Sequence, residues 1–267
     1  MIRDITIGQY YPADSILHRL DPRTKITGTF AYIISLFVFN SWGYAVGAVF
    51  LAAMIILSKV PFFFMTKGLK SIVMILLFTM VLNTFLTPGE VLYRIGFLKI
   101  TKEGLLLAGK MGIRLVFLIL GTSLMTLTTT PNKLTDGLER LLGPLNKIRI
   151  PVHEIAMMMS IALRFIPILL EETDKIMKAQ MARGADFESG GMIKKVRSMI
   201  PLLVPLFVSA FRRANDLALA MEARCYQGGE GRTLMKPLKY EGRDVAAYIL
   251  IAVYLAAAVI LRVVLKW

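Results

Sequence analysis

Between Lys25 and Lys59 the chain carries no charged side chain for 33 residues. A run of that length belongs in hydrocarbon, where every backbone N–H and C=O must be satisfied internally and a helix is the simplest solution. One straight helix would measure about 50 Å against a hydrocarbon core of ~30 Å, so the run has to break. Asn40-Ser41-Trp42-Gly43 is a turn cluster with an interfacial tryptophan, and it predicts a hairpin of two short helices over 26–39 and 44–58. Three more charge-free runs, Ser71 to Gly89, Leu115 to Asn132 and Val245 to Leu261, predict three further crossings. The expected fold is an all-α integral membrane protein with about five transmembrane helices and its termini on opposite sides.

Composition agrees. Hydrophobic residues make up 56% and charged residues 19%, with a mean hydropathy of +0.62, whereas soluble domains run near ~45–50% and ~25%. The single cysteine, Cys225, excludes an internal disulfide and a cysteine-rich metal or redox site. The net charge of +14 suits anionic lipid and the enrichment of basic residues on the inner side. With the N-terminus inside, the inner segments hold 25 Lys and Arg and the outer ones 7. The short inner and outer segments tie. The flanks Lys133, Arg140, Arg232, Lys236, Lys239 and Arg243 place 131–243 in the cytosol and the C-terminus outside.

This divides the chain into 1–130, with the N-terminal segment and four crossings, 131–243, and 244–267, with the last crossing. The middle segment, with 18 basic and 12 acidic residues, reads as helices of a different kind. Thr130-Pro131 opens a short amphipathic helix that Gly143-Pro144 closes. A long helix is predicted over 151–183, apolar in its first half and charged from Glu171 onward, with Pro167 inside. A second is predicted from Met192 to about Cys225, apolar from Ile200 to Phe211 and polar from Arg212. The two end alike: Ala182-Arg183-Gly184 aligns with Ala223-Arg224-Cys225 at an offset of 41, and the same offset sets Glu171-Glu172 against Arg212-Arg213.

Two readings of Arg183 and Arg224 are open. They can satisfy terminal carbonyls and the helix dipole, or they can enter two equivalent sites on partners, where a forked guanidinium pairs bidentately with carboxylates. Ile155, Met158, Ala162 and Ile166 share one face of the first helix by steps of three and four. The chain has no G-x-x-x-x-G-K-[ST], H-E-x-x-H or G-x-S-x-G. His18 and His153, with no clustered ligands, read as structural residues.

Ser15-Ile16-Leu17-His18-Arg19-Leu20-Asp21-Pro22-Arg23-Thr24-Lys25 before a hydrophobic hairpin, with the paired Ala-Arg motifs, resembles the transmembrane T component of energy-coupling factor (ECF) vitamin importers. The resemblance covers essentially the whole chain and departs at Cys225, where the family has glycine. It implies a scaffold without catalytic residues, metal or cofactor of its own. ATP and magnesium would be bound by two cytosolic P-loop ATPase subunits meeting Ala182, Arg183, Gly184, Ala223, Arg224 and Cys225. A small membrane capture subunit would bring the vitamin and meet Ile155, Met158, Ala162 and Ile166. Two alternatives are weaker. An intramembrane enzyme would need a polar cluster within the spans. A membrane-anchored module for anionic lipid or nucleic acid would need a basic stripe, whereas 131–243 mixes both signs and has few aromatics, so nucleic acid is not an expected partner.

Overall fold

A computed structural model describes residues 10–38, 43–95, 98–185, 187, 191–229, 235 and 237–264. The expected turn at 40–42 and the C-terminal Trp267 lie outside the described residues. Among the described residues the fold is all-α but for one small hairpin, and the chain divides into two compact units.

The larger unit takes 10–140 and 237–264. It begins with α1 (Ile16–Arg19), one turn capped by Ser15. The Ser15 hydroxyl accepts the His18 backbone N–H at 3.4 Å and lies 2.7 Å from Nδ1 of His18, whose Nε2 is 3.0 Å from the Tyr11 carbonyl. A carbonyl can only accept, so Nε2 carries the proton and Nδ1 accepts from Ser15. Burial pushes the His18 pKa down. This histidine is a neutral, hydrogen-bonded structural residue.

Helix α2 (Pro22–Val38) opens with proline at its first position, where a missing N–H costs nothing. Asp21 caps it, accepting from the Arg23 backbone N–H at 2.8 Å and pairing with the Arg23 guanidinium. The backbone N–H of Asp21 itself donates to Asp244 Oδ1 at 2.8 Å, and Asp244 Oδ2 accepts from the Glu241 N–H at 2.9 Å. One buried carboxylate thus joins the starts of α2 and α9 (Gly242–Val264). Asp244→Ala would strand two backbone donors. It is expected to destabilise the chain by about 2–4 kcal/mol, read as a lowered thermal midpoint in detergent.

The remaining helices are α3 (Gly43–Ser58), α4 (Phe62–Leu86), α5 (Lys102–Thr128) and α6 (Pro131–Leu142). The core of this unit contains Leu36, Tyr32, Leu51, Leu120, Leu124 and Tyr254. Tyr254 stacks on Phe50 with ring centroids 4.2 Å apart and lies 2.7 Å from the Ser35 hydroxyl. Gly121 is required by packing, since a Cβ there would stand 2.6 Å from the Tyr32 ring. Thr27 meets Tyr248 and Ser35 meets Tyr254, so α2 and α9 run parallel. Lys25 reaches the Thr128 carbonyl while Tyr32 covers Gly121, so α5 runs the opposite way.

Two features differ from the sequence reading. Residues 91–101 form an antiparallel hairpin, β1 (Val91–Ile95) with β2 (Leu98–Thr101). The helix expected from Leu115 begins instead at Lys102, because Thr101 accepts the Gly104 N–H and caps it. Arg114 therefore sits inside α5, donating to the Tyr44 hydroxyl at 3.0 Å with its guanidinium 5.2 Å from the Phe37 ring centroid. Among the described residues α5, α7 (Val152–Ala182) and α9 are long and apolar enough to cross a membrane, with shorter apolar helices at Gly43–Ser58 and Ile72–Leu86. The sequence reading counted α2 among the crossings and set α7 aside.

The smaller unit is built on α7 and α8 (Met192–Ala223), preceded by a 3-10 turn, Gly143–Ile148. Asn146 Oδ1 accepts the Val152 N–H at 3.1 Å and starts α7. His153 packs against Gly229, leaving no room there for a Cβ.

Candidate coupling helices

The ends of α7 and α8 have the same geometry, bond for bond. At the first, the Gly184 N–H donates to the Met181 carbonyl at 2.9 Å and the Ala185 N–H to Gln180 at 3.0 Å. At the second, Cys225 donates to Glu222 at 2.8 Å and Tyr226 to Met221 at 3.0 Å. Each is a Schellman closure, in which the residue after the arginine turns left-handed. Gly184 has φ +89° and Cys225 has φ +56°. The terminal carbonyls that accept these bonds are served by backbone donors, so the closure does not depend on the arginine side chains. Arg183 and Arg224 are both exposed, with no side-chain hydrogen bond or ion pair among the described residues.

Cysteine is a costly residue at φ +56° because its Cβ crowds the following carbonyl. Cys225→Gly is expected to firm this helix end by up to about 1 kcal/mol. Backbone amide exchange at 225 and 226 should slow up to about fivefold; unchanged or faster exchange would count against strain.

The two helices pass in opposite directions. Glu172 pairs with Arg213 at 2.8 Å, and farther along α7 the Gln180 amide donates to the carbonyl of Pro201, an earlier residue of α8. Glu172 and Arg213 are themselves 41 residues apart, the offset that relates the two ends. The contact therefore joins equivalent positions, and the pair has a local pseudo-two-fold arrangement. Each arginine stands 11 residues beyond this contact, about 16 Å at helical rise, and they point to opposite ends of the pair.

Packing uses a face that the sequence reading did not single out. Ile161, Phe165 and Leu169 lie against Ala210, Ala214 and Ala218, with a cavity of about 300 Å³ between the helices. The alanines recur every four residues, a signal for close helix approach. Ile155, Met158, Ala162 and Ile166 are all exposed. Ile155, Ala162 and Ile166 lie about 60–100° round the helix from the centre of that seam, whereas Met158, seven residues before Phe165, lies on the seam side one turn before Ile161. A second exposed apolar stripe, Ile200, Val204, Phe207 and Phe211, runs along α8. Among the described residues no group of three or more His, Cys, Asp or Glu is placed to hold a metal ion.

A sequence model of the CbiQ family, described as cobalt transport protein, matches residues 13–235. The chain belongs to the CbiQ family. Curated relatives agree over the full length. The energy-coupling factor transporter transmembrane protein EcfT of Clostridium kluyveri is 56% identical over 266 residues, covering 98% of each chain. That of Thermosediminibacter oceani is 58% identical over 249 residues, covering 93% of this chain and 94% of its own. The Bacillus subtilis protein is 51% identical over 264 residues, covering 98% and 100%. In this CbiQ-family chain the shared length takes in both arginine-ended helices as well as the membrane helices.

Proposed function

We propose that this chain is the membrane scaffold of an ECF-type importer, coupling ATP hydrolysis by two cytosolic ATPase subunits to uptake of a vitamin or similar micronutrient captured by a separate membrane subunit. The observation that carries this reading is the pseudo-two-fold pair of helices with exposed arginines at both ends. Two like-built tips facing opposite ways suit two like-built partners, and a packed helix pair is stiff enough to transmit their motion. Catalysis, ATP and magnesium belong to the partners.

In this reading α7 is a coupling helix and not a crossing, although its hydropathy would allow one. Its apolar half contains Glu154 and Arg164, and one such charge near a bilayer centre costs about 2.5–3.5 kcal/mol. Residues 131–243 are cytosolic, the N-terminus inside and the C-terminus outside. The native Cys225, exposed and the only cysteine, tests this directly. A membrane-impermeant maleimide should label it in inside-out vesicles and not in intact cells; labelling from outside would overturn the orientation.

The function is tested by purifying the tagged chain from membranes with nuclease present. Recovery of P-loop ATPases and a small membrane protein, and ATP-dependent uptake after reconstitution, are the expected results. Nuclease-sensitive recovery of nucleic acid without ATPases would favour a basic binding module.

A further inference from the structure

Within the larger unit, α1, α2, α3, α5 and α9 leave a cavity of about 310 Å³ whose lining is almost entirely apolar, including Leu51, Met54, Leu124 and Ile251. The only charged residues lining it are two cations, Lys25 and Arg243. They stand near the starts of α2 and α9 respectively, which the Asp21–Asp244 bond places side by side. Four hydroxyl-bearing residues also line it, Thr24, Thr29, Tyr32 and Thr128; among them the Tyr32 oxygen, in a residue 4% exposed, has no hydrogen-bond partner among the described residues.

We infer that this groove holds one acyl chain of an anionic membrane phospholipid, its headgroup at Arg243. The almost wholly apolar lining suits an acyl chain. Charge favours an anion. Lys25 already donates to the Thr128 carbonyl and the Thr129 hydroxyl, so it supplies its field. Arg243 is the available donor: its pairing with Glu241 spans 3.6 Å, too long for a hydrogen bond, and its side chain is 49% exposed. An acyl chain is no better solvated in the groove than in the bilayer. Residence therefore depends on the polar end, and the site should select by headgroup.

The test places the full chain in nanodiscs of equal phosphatidylglycerol and phosphatidylcholine, transfers it to detergent and counts retained lipid by native mass spectrometry. One phosphatidylglycerol per chain is expected, favoured at least about fivefold over phosphatidylcholine. Arg243→Gln should bring the ratio to about one, and Arg243→Lys should keep most of the preference. Ala247→Phe, which adds bulk at the groove wall, should remove the lipid with the thermal midpoint unchanged. If that variant fails to fold, the Gln and Lys variants decide, because Arg243 is half exposed and outside the core. No retained lipid, retention without headgroup preference, or a preference that survives Arg243→Gln would each overturn the inference. So would an Ala247→Phe chain that folds and keeps its lipid but loses a membrane protein partner, which would make the groove a protein-docking site.

Discussion

Replacing both Arg183 and Arg224 by alanine is expected to abolish transport while leaving the chain folded in the membrane. Each arginine follows a closed helix end whose carbonyls are bonded by backbone N–H groups, so removing the side chains should change stability by no more than about 0.5 kcal/mol. If each guanidinium enters a polar groove on an ATPase, truncation leaves the groove's acceptors unpaired. Losses of about 2–5 kcal/mol follow, roughly 30- to several-thousand-fold in affinity. A single substitution should weaken assembly, because the intact tip still holds the complex and keeps the other tip at high effective concentration. The double change removes that support. Lysine should rescue only partly, keeping charge but losing the fork. Membrane level, ATPase co-purification and uptake are measured together. Normal uptake by the double variant would return both arginines to the role of exposed helix-end residues.

Met158→Glu should cost the capture subunit about 100-fold in affinity while sparing the ATPases. Met158 is 57% exposed in the apolar stripe of Ile155, Ala162 and Ile166, one turn before Ile161, and does not line the seam that Ile161, Phe165 and Leu169 make with α8. A carboxylate there meets water in the isolated chain, but in an apolar membrane interface it costs about 3 kcal/mol. Ala214→Leu is the contrasting change. It lies on the seam, where added bulk should push α7 from α8 and disturb both arginine tips, so ATPase binding should fall as well. Retention of the capture subunit and normal uptake in Met158→Glu would assign this face to lipid or to the chain's own packing.

How much of this was legible in sequence depends on what each feature is made of. Charge-free runs reported the membrane helices because charge is excluded from hydrocarbon whatever the neighbours are. Their ends were less legible. Thr101 starts α5 well before the charge-free run, and Arg114 is accommodated by Tyr44 and Phe37, residues 70 or more positions away. The β1–β2 hairpin escaped because a short strand pair depends on partners that periodicity does not reveal. The long helices α7 and α8 were bounded within about two residues by Pro151, Gly184 and Gly191, and their common ending by the 41-residue offset.

The sequence by itself determined that this is a helical membrane chain with two like-ended long helices, and its 41-residue offset set Cys225 where the first helix has Gly184. Those properties follow from local chemistry: side-chain transfer energy, proline and glycine backbone limits, and the Schellman closure. Only the tertiary structure decided that α7 and α8 run opposite ways. The contact of Glu172 with Arg213 makes the repeat a pseudo-two-fold pair, and Ile161, Phe165 and Leu169 of α7 meet alanines of α8 along the seam. Direction and pairing are relations between distant segments, and a repeat read along one chain is the same whether its two copies lie parallel or antiparallel.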